Sequence, residues 1–370
     1  MRFVSYYSRA VSDASGVTVA LWAWANALVA AGEEVLVVHA GGRRRSPDPA
    51  LEVRGVPDVI VRHLGSQRAT YVPVGLGGVL RRGDLLLLHE GWVLSNHVAA
   101  ALAMILRIPY VVVPHGAYEP GVFAIMKRPR RVRRILERLL LERALAAHVF
   151  WDSERPLITA VAPRARTIVA PIGATMPADH WLGGGGYLAW LGRFDPVVKG
   201  LDVLLEGLAY LEPDVRPRLR MHGPDYNDGI AATRAHVERL GLGPWVTIGD
   251  PVYGRAKRDF LIHADGYVHP SRSESYGIAL VENLQLGVPS IVSDVIHIAA
   301  PLRAAGAALV VPLTAQGIAA GLRALPAAAD TLRHRGPAFV REELAWPVVT
   351  GRFLAGLRDQ LGQPSAGGTG

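Results

Sequence analysis

Two glutamates in the segment 269–294, HPSRSESYGIALVENLQLGVPSIVSD, carry the strongest chemical signal of the chain. Glu274 lies in a polar loop after a strand, and Glu282 lies on a helix that we expect to begin near Tyr276. The first N–H groups of a helix have no partner within it, so they suit an anion or the hydroxyls of a sugar. The segment therefore combines carboxylates with backbone donors at one place.

The start of this helix determines which groups of a ligand it can reach. Tyr276, Gly277 and Ile278 would supply the free N–H groups, and Gly277 lets a ligand approach the backbone because it has no Cβ atom. Glu282 lies six residues beyond Tyr276, which is about 9 Å along a helix. A carboxylate accepts two hydrogen bonds and suits a ribose diol. One element could thus hold both ends of a nucleotide-sugar; the alternative is that Glu282 only faces solvent.

A pair of cations lies in the segment 192–200, GRFDPVVKG, which follows a strand and opens a helix. Arg193 and Lys199 are both at the carboxyl end of that strand. A departing diphosphate gains negative charge as its bond to a sugar breaks, so cations placed there stabilise it. Arginine binds such a group through two hydrogen bonds, and lysine acts as a point charge. The alternative interpretation is ordinary surface charge.

Alternating strands and helices must position these residues. Short apolar runs typical of buried parallel strands occur in the N-terminal half at 2–7, 34–39, 85–89, 110–114, 148–151 and 167–170, with helices at 17–31 and 130–147. The glycine-rich segment 177–186 is the best linker candidate, and the alternation resumes from 187 to 293.

The pattern predicts an α/β protein with two Rossmann-like, doubly wound domains. We place them at 1–178 and 184–346, with a last helix at 347–362 that joins the first domain. Ligands of such folds bind at the carboxyl ends of the strands. Two domains facing each other therefore predict a site in the cleft between them.

The two charged segments resemble those of the retaining GT-B glycosyltransferases of family 4. That family has a G-R-x5-K-G segment, matched by Arg193 and Lys199, and an E-x7-E segment, matched by Glu274 and Glu282. The resemblance implies that the cations bind the donor diphosphate, that Glu274 lies near the transferred sugar and that Glu282 binds the ribose. It also implies a GT-B fold and transfer from a nucleoside-diphosphate sugar with retention of anomeric configuration.

The resemblance extends to other residues around the donor. Gly223 matches a glycine turn that lines the donor pocket, and Val252, after Pro251, matches the backbone segment beside the base. Gly16 lies in the position of the family's glycine-rich first loop, where Ser15 replaces a second glycine. These matches imply that Gly223, Val252 and Gly16 contribute to donor binding.

One histidine of the N-terminal half belongs to the same resemblance. His115 follows the YVVVP strand and precedes a glycine, which matches a histidine that contacts the donor sugar near the reacting carbon. The alternative is a core histidine whose hydrogen bonds are satisfied. His89, Glu90 and His97 are candidate contacts to the acceptor.

Composition excludes several other classes of protein. The 370-residue chain has no cysteine, which excludes disulfides and cysteine-ligated zinc or iron–sulfur sites. The sequence also has no Asp-x-Asp pair, no GxxxxGK[ST] phosphate loop and no GxSxG turn. Because cations and helix N-termini can stabilise the leaving group, we expect neither a metal nor a cofactor.

Basic residues give the chain a formal net charge of +8, and much of the excess lies between 127 and 138. This segment is interpreted either as a solvated helix face or as a weak contact with an anionic membrane surface. No nucleic-acid-binding motif accompanies the charge, so nucleic acid is not an expected partner. There is no secretory signal and no apolar stretch of the roughly 20 residues that span a membrane. We expect a cytoplasmic protein, with the inner face of the membrane as a further location.

The sequence leaves the acceptor open. Its high alanine, arginine and glycine content hints at a bacterial envelope polysaccharide, glycolipid or natural product that offers a hydroxyl. Two other functions compete with sugar transfer. One is a different GT-B enzyme, such as a nucleotide-sugar epimerase or a phosphorylase. The other is a non-catalytic protein that binds nucleotide-sugars or anionic surfaces.

Overall fold

The computed structural model describes residues 1–11, 16–41, 55–65, 71–121 and 131–362. The chain forms two compact units. The first consists of Met1–Gly173 together with Trp346–Gly370, and the second is Ala174–Ala345. The chain thus passes from one unit to the other just before the glycine-rich segment 177–186, and it returns between Ala345 and Trp346.

The elements of the described residues are numbered here in chain order. The strands are β1 Arg2–Tyr7, β2 Glu34–His39, β3 Asp58–Ile60, β4 Arg62–Leu64, β5 Val72–Val74, β6 Asp84–His89, β7 Tyr110–Val113, β8 Ala146–Val149, β9 Thr167–Val169, β10 Leu188–Leu191, β11 Leu219–His222, β12 Val246–Gly249, β13 Gly266–His269, β14 Ser290–Ser293 and β15 Leu309–Val311. The helices are α1 Gly16–Ala30, α2 Leu76–Val79, α3 Leu94–Leu106, α4 Arg131–Arg143, α5 Arg155–Val161, α6 Leu201–Ala209, α7 Gly229–Arg239, α8 Gly254–Ile262, α9 Ile278–Leu286, α10 Ala299–Ala305, α11 Ala315–Glu343 and α12 Trp346–Gly362.

The first unit is built on a parallel sheet whose described strands follow the order β3-β2-β1-β6-β7-β8-β9. Its central strands β1, β6 and β7 are almost wholly buried, which explains their uninterrupted apolar sequences. Phe3 of β1 and Trp24 of α1 both pack against Phe353 of α12. The last helix therefore belongs to the core of the first unit although it lies at the other end of the chain.

The second unit repeats this plan with a parallel sheet in the order β12-β11-β10-β13-β14-β15. Leu204, Leu205 and Leu208 of α6 are buried in its core together with Ile318 of α11. In both sheets the strand order reverses once, between β1 and β6 in the first and between β10 and β13 in the second. Doubly wound sheets bind ligands at the carboxyl ends of the strands beside that reversal.

The predicted fold class is confirmed, but several boundaries differ from the sequence prediction. Helix α9 begins at Ile278 and not near Tyr276, because Gly277 takes a left-handed conformation with φ of 85° just before it. Helix α4 ends at Arg143 rather than continuing to 147. The sequence pattern also left α10, β15 and the 29-residue helix α11 unassigned.

Candidate active site

The reversal between β10 and β13 brings the two charged segments of the second unit together. Lys199, in the loop after β10, places its Nζ 2.5 Å from Oε2 of Glu274, in the loop after β13. Their side chains are only 16% and 20% exposed. A cation and a carboxylate predicted separately from sequence are therefore one ion pair at the expected edge of the sheet.

A second set of contacts supports Glu274 from the strand side. Nε2 of His269 lies 3.5 Å from Oε2 of Glu274, and Nδ1 of His269 lies 3.2 Å from the hydroxyl of Tyr267. Burial by itself raises the pKa of Glu274, but the charge of Lys199 and the hydrogen bond from His269 outweigh it, so the pKa lies below its usual range. Glu274 is therefore a carboxylate that accepts hydrogen bonds from two groups at once.

Arg193 begins the same loop and is held by two neighbours. Its Nη2 donates to Oδ2 of Asp195 at 3.1 Å, and its guanidinium lies 4.1 Å from the ring centroid of Tyr226. Asp195 is buried and also accepts the N–H groups of Val197 and Val198 at 3.1 Å. Because about half of the Arg193 side chain stays exposed, the arginine is oriented but remains accessible to a ligand.

The loops after β10 and β13 are joined by a contact that the sequence did not suggest. Arg272 binds Asp202 through two hydrogen bonds of 2.8 and 2.6 Å, and its N–H donates to the carbonyl of Val198 at 2.8 Å. Gly200, with φ of 60°, packs so closely on the carbonyl of Pro270 that a Cβ would overlap it. Arg272 and Asp202 follow strands that can be recognised in the sequence, but the sequence does not indicate that the two residues pair.

The start of α9 corrects one part of the predicted donor element. Tyr276 is buried and lies before the helix, so the first-turn N–H groups are those that follow Gly277 and not those of Tyr276. Ile278 is the first helical residue, and Glu282 follows only four residues later. The predicted span of about 9 Å from Tyr276 therefore does not apply, since it assumed a helix beginning two residues earlier.

Glu282 does not simply face solvent. Its Oε1 accepts a hydrogen bond of 2.7 Å from Nζ of Lys257 on α8, and its side chain is 31% exposed. The sequence analysis did not single out Lys257. A lysine at this place gives the carboxylate a fixed orientation.

Two further predicted donor residues lie at the ends of neighbouring strands. Gly223 follows β11, and a Cβ there would overlap the carbonyl oxygen of Gly192, so only glycine fits. Val252 follows β12 in a partly exposed loop that leads into α8. Gly223 therefore borders the Arg193 loop, and both residues lie at the carboxyl edge of the same sheet.

In the first unit, His115 lies at the carboxyl end of β7 in a left-handed conformation with φ of 52°. Its Nε2 is 2.8 Å from Nδ1 of His89, and Nε2 of His89 is 2.7 Å from Oγ of Ser5. Burial lowers the pKa of His89 to about 3 and that of His115 well below its ordinary value. Both imidazoles are therefore neutral at pH 7.

The other predicted residues of the first unit are only partly brought together. Glu90, with φ of 71°, pairs with Arg9 at 2.9 Å beside the end of β6. His97 instead faces α4, where its Nε2 lies 3.4 Å from Oε2 of the fully buried Glu137. Gly16 is the first residue of α1, whereas Ser15 lies outside the described residues.

The basic segment predicted at 127–138 is described from 131 onward, so Lys127, Arg128 and Arg130 lie outside the described residues. Among the apolar residues of α4, Leu140 is buried, whereas four others are exposed: Val132 67%, Ile135 57%, Leu136 41% and Leu139 46%. Arg131, Arg134 and Arg138 are exposed on the same helix. Apart from Leu140, these residues do not pack into the domain core.

None of the described helices is both long and apolar enough to cross a bilayer. Among the described residues, no group of three or more His, Asp or Glu side chains is placed to hold a metal ion.

A doubly wound sheet in each unit, with cations and carboxylates at one edge of the second, matches the expected GT-B fold. Residues 185–327 match the glycosyl transferases group 1 family, and residues 15–173 match the glycosyl transferase 4-like domain. The chain therefore belongs to the group 1 glycosyltransferases of GT-B fold.

Individual relatives agree with this assignment. The uncharacterized glycosyltransferase YqgM of Bacillus subtilis is 28% identical over 223 residues, which span 58% of this chain and 59% of YqgM. The GDP-mannose:cellobiosyl-diphosphopolyprenol alpha-mannosyltransferase of Xanthomonas oryzae pv. oryzae is 27% identical over 84% of this chain and 83% of its own length. Anabaena HepE, solved in complex with UDP-glucose, has the same fold, with a TM-score of 0.76 at 15% identity over 97% of this chain and all of HepE.

Proposed function

We propose that this glycosyltransferase moves a sugar from a nucleoside-diphosphate sugar to a hydroxyl acceptor with retention of anomeric configuration and without a metal ion. The observation that carries the proposal is the edge of the second sheet. There Arg193, Lys199 and the start of α9 offer positive charge, while Glu274 and Glu282 offer carboxylates. The GDP-mannose-dependent relative and the UDP-glucose complex of HepE support a nucleotide-sugar donor.

Each group has a distinct role in the proposed reaction. The bond between the anomeric carbon and the diphosphate oxygen breaks, and its electron pair leaves with the diphosphate. Arg193, Lys199 and the amides after Gly277 stabilise the growing negative charge. The acceptor oxygen bonds to the anomeric carbon on the face that the diphosphate leaves, and its proton passes to a diphosphate oxygen.

The carboxylates and the histidine orient the donor rather than attack it. Glu274 is held deprotonated by Lys199 and His269, so it can accept hydrogen bonds from sugar hydroxyls. Glu282 accepts from a ribose diol while Lys257 fixes its orientation. Gly223 and Val252 supply backbone close to the donor at the edge of the second sheet, and the family resemblance assigns donor-binding roles to Gly16 and His115.

The direct test is thermal stabilisation by a panel of nucleoside diphosphates and nucleotide-sugars, with EDTA present throughout. A ligand at 100 times its Kd should stabilise the protein by about 2.7 kcal/mol. We expect one nucleotide series to stabilise the wild type and to lose its effect in Arg193→Ala and Glu282→Ala. The exposed Arg303→Ala and Glu238→Ala variants of the same unit serve as matched controls.

Other outcomes of this test favour the competing functions. No stabilisation of the folded protein by any nucleotide would favour a non-catalytic protein. Stabilisation that appears only when excess divalent ion replaces the EDTA would contradict metal independence. In a separate turnover assay, release of nucleoside diphosphate in the absence of any acceptor would favour an epimerase or another GT-B reaction over transfer.

We also propose that α4 lets the enzyme work in the cytoplasm at the inner face of the membrane, next to a lipid-linked or envelope acceptor. Its exposed Ile135 and Leu139 suit the apolar part of an interface, and its exposed arginines suit anionic lipid headgroups. Binding to anionic vesicles should weaken in about 0.5 M salt and in Ile135→Ser/Leu139→Ser. The equally exposed Val215→Ser of the second unit is the control. Sedimentation that neither change affects would contradict the proposal.

A further inference from the structure

Ser5, His89 and His115 form one chain of hydrogen bonds across the carboxyl edge of the first sheet. Ser5 Oγ lies 2.7 Å from His89 Nε2, and His89 Nδ1 lies 2.8 Å from His115 Nε2. We infer that Ser5, acting through His89, fixes His115 as the tautomer protonated at Nδ1, so that His115 presents a hydrogen-bond donor to an oxygen of the donor sugar. The substrate in this inference rests on the proposed function, whereas the tautomer does not.

The direction of the chain follows from the serine hydroxyl. The Ser5 side chain is buried, with 3% of the residue exposed, and among the described residues its hydroxyl contacts only His89. If His89 donated from Nε2, the Ser5 hydroxyl proton would be buried without an acceptor, which is unfavourable. Ser5 therefore donates, and Nε2 of His89 accepts.

The tautomers of both histidines follow from this first step. A neutral imidazole carries one proton, so His89, which accepts at Nε2, must carry its proton at Nδ1. That N–H donates to Nε2 of His115, which makes Nε2 the accepting nitrogen of His115. The single proton of His115 is then at Nδ1.

The surroundings of His89 and His115 keep both rings neutral, so the tautomer determines whether His115 presents a hydrogen-bond donor or acceptor. Burial lowers the pKa of both imidazoles. Neighbouring histidines lower it further because like charges repel: His148 acts on His89, and His89 and His148 act on His115. His115 stands edge-on to Phe150, with ring centroids 5.7 Å apart. Its Nδ1 makes no hydrogen bond to any of the described residues.

This tautomer determines which chemical role His115 can have. With Nε2 occupied by His89 and Nδ1 protonated, His115 has no lone pair with which to accept a proton. It therefore serves as a donor to an oxygen, such as a hydroxyl or ring oxygen of the sugar or an oxygen of the phosphate, and does not act as a general base. Ser5 and His89 are positioning residues, because they act only by setting the state of His115.

The direct test is the ¹⁵N NMR spectrum of histidine-labelled wild-type protein without substrate, with His115 assigned from the spectrum of His115→Gln. We expect the shift of a protonated nitrogen at Nδ1 and of an unprotonated nitrogen at Nε2. A spectrum with the proton at Nε2 would overturn the inference whatever the activity. Because no substrate is present, the result is independent of the proposed function.

Variants of Ser5 then test the link to catalysis. Ser5→Ala should give a mixture of tautomers at His115 and lower kcat/KM by about tenfold, since a histidine in the wrong tautomer loses its catalytic contact. Ser5→Thr keeps a hydroxyl and should restore both. Ser290→Ala removes a buried strand hydroxyl that bonds only a backbone carbonyl in the second unit, and should change neither. Full activity of Ser5→Ala with a mixed tautomer would refute the role in catalysis.

Discussion

Lys199 and Glu274 are 75 residues apart in the sequence, yet their Nζ and Oε2 atoms are 2.5 Å apart. The contact joins the loops that follow β10 and β13, the two strands at which the second sheet reverses its order. It means that the lysine proposed to hold the leaving diphosphate is oriented by the glutamate proposed to hold the sugar. The two ends of the scissile bond would therefore be positioned by one pair.

Loss of the lysine should affect catalysis more than folding. Removing one group that stabilises a developing anion typically lowers kcat by about 10²–10³-fold, and we expect this loss for Lys199→Ala. Release of nucleoside diphosphate with acceptor and EDTA present measures it, with Arg303→Ala as the control. A Lys199→Ala enzyme of full activity would refute the assignment.

Loss of the glutamate should be visible in the pH dependence of stability. The pKa of Glu274 is lower in the folded protein than in the unfolded chain. The contribution of Glu274 to stability is therefore fully present above the unfolded pKa of about 4.3, and it is lost as the pH falls through the folded pKa. Glu274→Gln should therefore lower the melting temperature by about 4 °C at pH 7, where the partly exposed pair is intact.

The difference from wild type should shrink as the pH falls below about 4. Melting temperatures of both proteins from pH 7 to pH 3 give the comparison. A gap that widens on acidification would mean that Glu274 is protonated in the folded protein at neutral pH.

Much of the fold follows from local sequence, because buried parallel strands are short apolar runs between helices. The elements that sequence missed show the limits of that rule. β3 and β4 have three residues each and partly exposed side chains, so they carry no apolar run. Helix α11 contains Pro326 and Pro337, which normally end a helix, yet it is continuous and packs on α6, α9, β14 and β15.

The sequence predicts which residues lie at the candidate site, but it does not predict which residues pair with them. Arg193, Lys199 and Glu274 stand at strand ends that can be read from sequence, so their convergence at one edge could be expected. The partners that orient them could not, because Arg272 lies 70 residues from Asp202 and His89 lies 84 residues from Ser5. Such pairings depend on the order of strands in the sheet, which no local pattern specifies.

The Arg272–Asp202 pair should act on the donor site as a unit. We expect Arg272→Ala and Asp202→Ala each to lower kcat/KM for the donor by about three- to tenfold, because either one removes the side-chain link between the loop of Glu274 and the start of α6. The double variant should be no worse than the single variants, since the interaction is lost only once. Steady-state kinetics at varied donor concentration measure all three.

A matched pair in the same unit separates this effect from general destabilisation. Arg258 and Asp179 form an exposed ion pair of 2.6 Å, the same length as the shorter Arg272–Asp202 bond. Arg258→Ala should leave kcat/KM unchanged, because exposed pairs contribute little to stability and this one does not join the two loops. If the effects of Arg272→Ala and Asp202→Ala on kcat/KM multiply in the double variant, the two residues act independently and the pair does not act as a unit.

The histidine cluster of the first unit should make the protein sensitive to mild acid. Burial lowers the pKa of His148 to about 4 and that of His89 to about 3. The unfolded chain binds protons at histidine below about pH 6.5, whereas the folded protein does not until the pH reaches those lower values. Stability should therefore fall as the pH drops below about 6.5, with a slope approaching 1.4 kcal/mol per pH unit for each buried histidine.

His148 offers the sharpest variant of this prediction, because its ring packs on Phe150 and Phe353 and its Nε2 lies 2.7 Å from the carbonyl of Ala170. At pH 8, His148→Phe should be less stable than wild type because the variant lacks the hydrogen bond to Ala170. Between pH 6.5 and pH 5 the variant should lose less stability than wild type, because one buried titrating group is gone. Melting temperatures across this range test it, with the exposed His180→Phe as the control. A histidine that is neutral and buried in the folded protein must make stability depend on pH. Equal slopes of melting temperature against pH in wild type and His148→Phe would therefore show that His148 is not a source of the acid sensitivity.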